Sequence, residues 1–252
     1  MSEQLYIGYQ ARMPVGIARF LRMRTLGLIL IATLMAMVLV SAQKHFAISS
    51  YEFGAFHAIE GTLIEKPFPM LVMQRPGQHG RVAPVSRYFL GALGKHGTQS
   101  DVAGLDGKRV RLQGALIYRD DQATIDLKPG SIEVLDELGA GGTGSIMELG
   151  EFTLQGEIVD SKCYMGIMKP GNLKPHRACA VRCISGGIPP VLLVRDAAGR
   201  SLYFLLVGAD GESVNRKILR HVALPVEIKG RVTRHGDQWI LRADPGAIKP
   251  LS

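Results

Sequence analysis

The stretch VRLQGALIYRDDQATIDLKPGSI, Val110 to Ile132, aligns without a gap on VEIKGRVTRHGDQWILRADPGAI, Val226 to Ile248, at a constant offset of 116 residues. Val110 matches Val226, Gly114 matches Gly230, Asp121-Gln122 matches Asp237-Gln238, and Pro129-Gly130-x-Ile132 matches Pro245-Gly246-x-Ile248. Two upstream blocks repeat as well. Tyr88-Phe89-Leu90 resembles Tyr203-Phe204-Leu205 at an offset of 115, and Glu60-Gly61-x-Leu63 resembles Gln155-Gly156-x-Ile158 at 95. One long ungapped block with two flanking ones marks an internal duplication.

Each copy carries short alternating apolar runs bounded by turn residues, which read as five strands. In the second copy they fall at about 153–160, 190–195, 201–207, 224–233 and 238–243, the last two joined by a turn at His235-Gly236-Asp237. Glu212 to Val222 has Val214, Ile218, Leu219 and Val222 at helical spacing. Five strands with a helix between the third and fourth is the order of an OB-type barrel. In the first copy the helix shrinks to something near Ser100–Leu105. The predicted fold is mainly β: an N-terminal transmembrane helix followed by two tandem five-stranded OB-like barrels. The expected boundaries are a cytoplasmic segment 1–25, the membrane helix 26–42, a tether 43–56, a first barrel 57–136, a glycine-rich linker 137–150 and a second barrel 151–252.

Leu26 to Ala42 is 17 residues without a charge and follows Arg12, Arg19, Arg22 and Arg24. That length is at the lower limit for crossing a bilayer. Arginine before the run and little charge after it predict a single-pass protein of the bacterial cytoplasmic membrane, with its N-terminus in the cytoplasm and the barrels on the periplasmic or extracellular side. The alternative is a secretory signal peptide cleaved after Val40-Ser41-Ala42, but the long head and long apolar run favour an uncleaved anchor. The formal charge of +8 is spread along the chain, with no clustered basic stripe, so nucleic acid is not an expected partner. The expected partners are the membrane and other membrane or periplasmic proteins.

The fall in offset at the first strand means that the second copy carries about twenty extra residues between its first and third strands. Those residues hold all three cysteines, within CYMGIMKPGNLKPHRACAVRCISGG, Cys163 to Gly187. The first copy has Met70, Met73 and His79 in the matching region and no cysteine, which makes it a spacer or docking module in this reading. Pro175 can open a short helix and Gly186-Gly187 can close it. On that helix His176, Cys179 and Cys183 stand at i, i+3 and i+7 and share a face, while Cys163 sits just past the first strand.

Three readings of the cluster stand side by side. Cys163, His176, Cys179 and Cys183 can bind zinc in a tetrahedral site or copper(I) through soft sulfur, with Asp160 as a partner for the histidine and Met165 and Met168 as further soft ligands. On the oxidising side of a membrane, two of the cysteines can instead form a disulfide that staples the loop, Cys163 pairing with Cys179 or Cys183. In that case His176 is incidental, Asp160 caps the turn after the strand, and the methionines anchor the loop. The third reading is a thiol oxidoreductase, with Cys179 and Cys183 activated in the first half of the helix by its dipole and by Arg177 or Arg182. There is no Cys-x-x-Cys, no c-type haem motif, no nucleotide-binding loop and no hydrolase signature.

The run G-x-I-x-D-S-K-C (Gly156–Cys163), then His176-x-x-Cys179-x-x-x-Cys183, then a glycine-rich exit into Val191–Val194, resembles a group of uncharacterised bacterial exported proteins. These have an OB-like domain with a C…H-x-x-C-x-x-x-C signature. The resemblance covers residues 152 to 245 and implies export, a small β-barrel and a shared role for the four residues, but no activity. The first copy and the apolar N-terminal segment lie outside it. The resulting expectation is a membrane-anchored accessory protein that handles metal or supports a membrane redox assembly and is not an enzyme.

Overall fold

The structure is a computed structural model that describes residues 13–42, 49–74, 85–136 and 146–251. It comprises two units, 1–46 and 47–252. His79, most of the glycine-rich linker and the first residues of the tether lie outside the described residues.

Among its described residues the first unit contains one helix, α1, Val15–Ala42. It starts well before the uncharged run and takes in Arg19, Arg22 and Arg24. Its 28 residues extend about 42 Å at 1.5 Å per residue. That is the thickness of a bilayer with its headgroups, about 40–45 Å. The helix is long and apolar enough to be a membrane anchor or a signal sequence.

The second unit holds both barrels. The first is built from β2 (His57–Ile64), β3 (Met70–Gln74), β4 (Val85–Ala92), β6 (Arg109–Arg119) and β7 (Gln122–Leu127). Its strands close in the ring β2-β3-β4-β7-β6, with only the β4–β7 pair parallel. The second barrel uses β9 (Ile146–Asp160), β10 (Pro190–Arg195), β11 (Ser201–Val207), β12 (Pro225–His235) and β13 (Gln238–Arg242). Its ring β9-β10-β11-β13-β12 repeats the first, again with one parallel pair. These are two OB-like barrels. Short strands are added at the edges: β1 (Ser49–Tyr51) and β8 (Glu133–Asp136) on β6, β5 (His96–Gly97) on β4, and β14 (Lys249–Pro250) on β12. Part of the stretch expected as a tether is therefore strand.

The repeated glycines have a steric cause. A Cβ on Gly114 would stand 2.3 Å from the Ile125 side chain, and one on Gly230 would stand 2.3 Å from the Arg242 carbonyl oxygen. Both positions let the fourth strand bend tightly across the fifth.

The ladders correct one part of the repeat. Met70 pairs with Phe89 as Val191 pairs with Leu205, and Phe89 lies beside Thr124 as Leu205 lies beside Ile240. Phe89 is thus equivalent to Leu205 rather than Phe204, and the offset is 116 in this strand too. A one-residue slip in a strand exchanges its faces, and burial agrees with the corrected register. Tyr88 and Leu90 face the first core as Phe204 and Leu206 face the second. The sequence block Tyr-Phe-Leu misaligns because the aromatic pair stands one position earlier in the second copy. A second difference lies between β11 and β12. Glu212–Val222 forms not a helix but two short 3-10 turns, Asn215–Lys217 and Leu219–His221.

Each barrel has its own apolar core, and a third cluster lies between them. Met70, Phe89 and Phe68 of the first barrel pack there against Val191, Leu193, Tyr203 and Leu205 of the second. The two barrels thus bury the faces of their second and third strands against each other. The first barrel is not a detached spacer.

Candidate metal centre

The segment between β9 and β10 carries the cluster, and local chemistry holds it in shape. The chain leaves β9 at Asp160, whose Oδ1 accepts from the backbone N–H of Lys162 at 3.2 Å and of Cys163 at 2.6 Å. Cys163 opens a single π-turn, Cys163–Ile167, and α2 follows over Leu173–Ser185. Asn172 is the helix N-cap residue without a capping side chain. Glu157 supplies the cap instead, accepting from the Leu173 N–H at 2.5 Å. Pro175 lies in the first turn, where its missing donor costs nothing. At the other end Gly186 is the C-cap, and Gly187 turns the chain with φ +101°.

The three cysteines converge. Cys163 Sγ lies 3.8 Å from Cys179 Sγ and 3.7 Å from Cys183 Sγ, and all three sulfurs lie within 4.8 Å of one another. The cysteines are free. A tetrahedral zinc with bonds of about 2.3 Å to sulfur sets its thiolates about 3.8 Å apart, whereas a disulfide requires about 2.05 Å. The sulfur spacing is one that a metal ion could bridge.

His176 enters through Cys163, since the ligand atoms of Asp160, Cys163 and His176 also lie within 4.8 Å of one another. His176 is 2% exposed and Asp160 is fully buried. His176 Nε2 stands 3.0 Å from Asp160 Oδ2 and donates to it. In the neutral ring, the form that binds metal, that bond leaves the lone pair on Nδ1, and Nδ1 is buried with no hydrogen-bond partner. A carboxylate on one nitrogen and a vacant lone pair on the other is how a metal-ligating histidine is oriented. The four residues form a cluster able to hold a metal ion. Both roles expected for Asp160, turn cap and histidine partner, are filled at once by its two oxygens.

The electrostatics disfavour a reactive thiolate. Its hydrogen bond with Cys183, and then burial, push the Cys163 thiol well above the ordinary range. Burial pushes Cys179 up too, against the pull of the Lys95 ammonium. Burial alone would lower His176, but the hydrogen bond to Asp160, with Cys163 beside it, wins, and its pKa is pushed up to about 9. Cys183 lies in the last turn of α2, not in the first half where the thiol reading expected it.

Met165 is fully buried in the inter-barrel cluster, and Met168 is 42% exposed.

Sequence reasoning missed what the first barrel contributes. Lys162, 1% exposed, crosses into that barrel and donates to Asp126 Oδ1 at 2.6 Å, the Ala92 carbonyl at 2.5 Å and the Gly94 carbonyl at 3.2 Å. Thr124 Oγ1 donates to the Ser161 carbonyl at 2.6 Å. Lys95 Nζ stands 3.0 Å from Cys179 Sγ. The one legible signal was Asp126, a lone acid among the apolar residues of a core strand; nothing distinguishes Lys95 in the sequence. No protein-family model matches the chain, and no curated protein matches it.

Proposed function

We propose that this chain is a membrane-anchored accessory protein whose second barrel holds one metal ion through Cys163, His176, Cys179 and Cys183. The observation that carries this reading is the sulfur spacing of 3.7 and 3.8 Å beside a histidine whose second nitrogen is held by Asp160. Zinc fits the donor set better than copper(I). Three thiolates and an imidazole complete a tetrahedron, and Met165, the buried thioether that would favour copper, is committed to the inter-barrel core. With four protein ligands the site is closed, which suits holding a metal rather than hydrolysis. Arginines at the start of α1 support a cytoplasmic-membrane anchor with the barrels on the periplasmic side. The role is metal handling or support of a redox assembly at that surface. The shared burial of the second and third strands argues against nucleic acid, because OB-folds read oligonucleotides on that face.

The test is metal analysis and thiol counting on the full chain, purified in detergent without chelator. The expected result is near-stoichiometric zinc, with three thiols that become reactive together on denaturation in chelator. Cys163→Ser and His176→Ala should each strip the metal, since each removes one ligand. A metal-free protein with a single free thiol would replace this reading with a disulfide staple, in which His176→Ala is silent. A cysteine that alkylates fast near neutral pH would favour thiol chemistry.

A further inference from the structure

The ligands differ in their access to solvent. Cys163 is 5% exposed, Cys183 0% and His176 2%. Cys179 alone is partly exposed, and what covers it comes from the other barrel. The turn that joins β4 to β5, Leu93-Gly94-Lys95, arches over the end of α2 and sets the Lys95 ammonium 3.0 Å from Cys179 Sγ.

Lys95 is exposed, yet its backbone is fixed from two sides. From within, Lys162, the neighbour of Cys163, donates to the carbonyls of Ala92 and Gly94. From outside, the Gly97 N–H donates to the Gly186 carbonyl at 2.9 Å, and Gln99 Nε2 donates to the Gly187 carbonyl at 2.8 Å. The backbones meet so closely that a Cβ on Gly186 would stand 2.2 Å from the Lys95 carbonyl oxygen. The residues that pin this turn stand three and four positions after the last cysteine and next to the first.

We propose that the Ala92–Gly97 turn of the first barrel is the lid of the metal centre, and that Lys95 is a positioning residue that controls metal exchange through Cys179. This rests on the metal-site reading above. A metal bound by three thiolates and a neutral imidazole carries excess negative charge at its one accessible sulfur. An ammonium donating to that sulfur offsets the charge and occupies the side from which a proton, a chelator or an acceptor thiol would approach. The duplication thus produced one barrel that binds and one that covers. The lid suits an exchange partner that is itself a soft-metal ligand carrying an acidic group able to draw Lys95 aside.

The experiment uses the full chain in detergent loaded with zinc, and follows zinc release to a chromogenic chelator and alkylation by iodoacetamide. Lys95→Ala should still take up zinc, keep the melting temperature of the metal-free protein, and speed both release and alkylation about 10-fold or more, the scale on which partners of metal ligands act. Lys95→Arg, which keeps a cationic donor, should restore most of the slow rate. In the cobalt(II)-substituted protein, Lys95→Ala should also move the sulfur-to-metal charge-transfer band to lower energy, because a sulfur that loses an N–H donor holds its electrons less tightly. Stoichiometric zinc with rates and band unchanged in Lys95→Ala would overturn the lid and leave the metal site standing. A chain that binds no metal would overturn both.

Discussion

Asp160 does two things with one side chain, and the second has consequences of its own. Oδ1 holds the turn through the Lys162 and Cys163 amides, and Oδ2 fixes the tautomer of His176. Asp160→Asn keeps the size and the turn-capping oxygen but can present an amide donor to Nε2. The imidazole proton then moves to Nδ1, the nitrogen needed for the metal. Metal affinity should fall about 10- to 100-fold, read by competition with a chelator of known affinity, and an unchanged affinity would show that the carboxylate does not orient the ligand. The pH response of the metal-free protein follows from the same pair. Its folded-state histidine pKa is raised from 6.5 to about 9. The imidazolium–Asp160 contribution is therefore fully present below about pH 6.5 and lost as the pH rises toward 9. The metal-free protein should lose melting temperature across that window, and His176→Gln should lack this part of the slope. The metal-loaded protein should show the opposite trend at low pH, because the ligands must shed protons to bind. A metal-free slope of the opposite sign would refute the assignment.

At the scale of elements, the cysteine helix was legible because its signals are local. Pro175, the Gly186-Gly187 stop and the i, i+3, i+7 spacing lie within a dozen residues. The π-turn at Cys163–Ile167 was not, since its shape comes from Asp160 and from packing against β1, where a Cβ on Gly166 would meet the Ser50 carbonyl oxygen at 2.4 Å. The expected helix over Glu212–Val222 failed for a comparable reason. Its apolar residues are buried as the spacing predicts, with Val214 2% exposed and Ile218 and Val222 fully buried. The backbone, however, is claimed by Asn215, whose Nδ2 donates to the Ile184 carbonyl at 2.6 Å and the Ile188 carbonyl at 3.0 Å. That side chain ties the end of α2 to the 3-10 turns, and a regular helix there would withdraw it. Periodicity reports which residues are buried, not which helix they form. Asn215→Ala leaves those two carbonyls without the buried donor and should cost about 1–3 kcal/mol, measured by chemical denaturation. A loss below a few tenths of a kcal/mol would mean that the turns are held by their apolar residues alone.

At the scale of the molecule, the duplication was legible in the sequence and the meeting of its two copies was not. The ladders show why the loop carrying the cysteines looks shorter than it is. Val72 of the first barrel corresponds to Leu193 of the second, while Thr62 corresponds to Glu157. The offset thus jumps from 95 to 121 across the cysteine loop and settles at 116 once the longer β3–β4 connection of the first barrel is passed. The extra residues fold back into the seam between the barrels, where long-range partners that no local pattern encodes receive them. Lys162 is the test of that seam. Its stem passes Gly91, and its ammonium ends on Asp126, a residue 3% exposed that also accepts from Tyr51 Oη at 2.6 Å. Lys162→Met matches the stem but leaves the Asp126 carboxylate buried against one neutral donor, a change that should cost about 3–5 kcal/mol. Adding Asp126→Asn removes the stranded charge and keeps an acceptor for Tyr51, so the double variant should recover part of the loss. Because the inter-barrel cluster is built from both barrels, calorimetry of the metal-free wild type should show one transition. If Lys162→Met melts within 1 kcal/mol of the wild type, or the wild type already melts in two steps, the barrels are independent domains that merely touch, and Lys162 is not what joins the cysteine loop to the first of them.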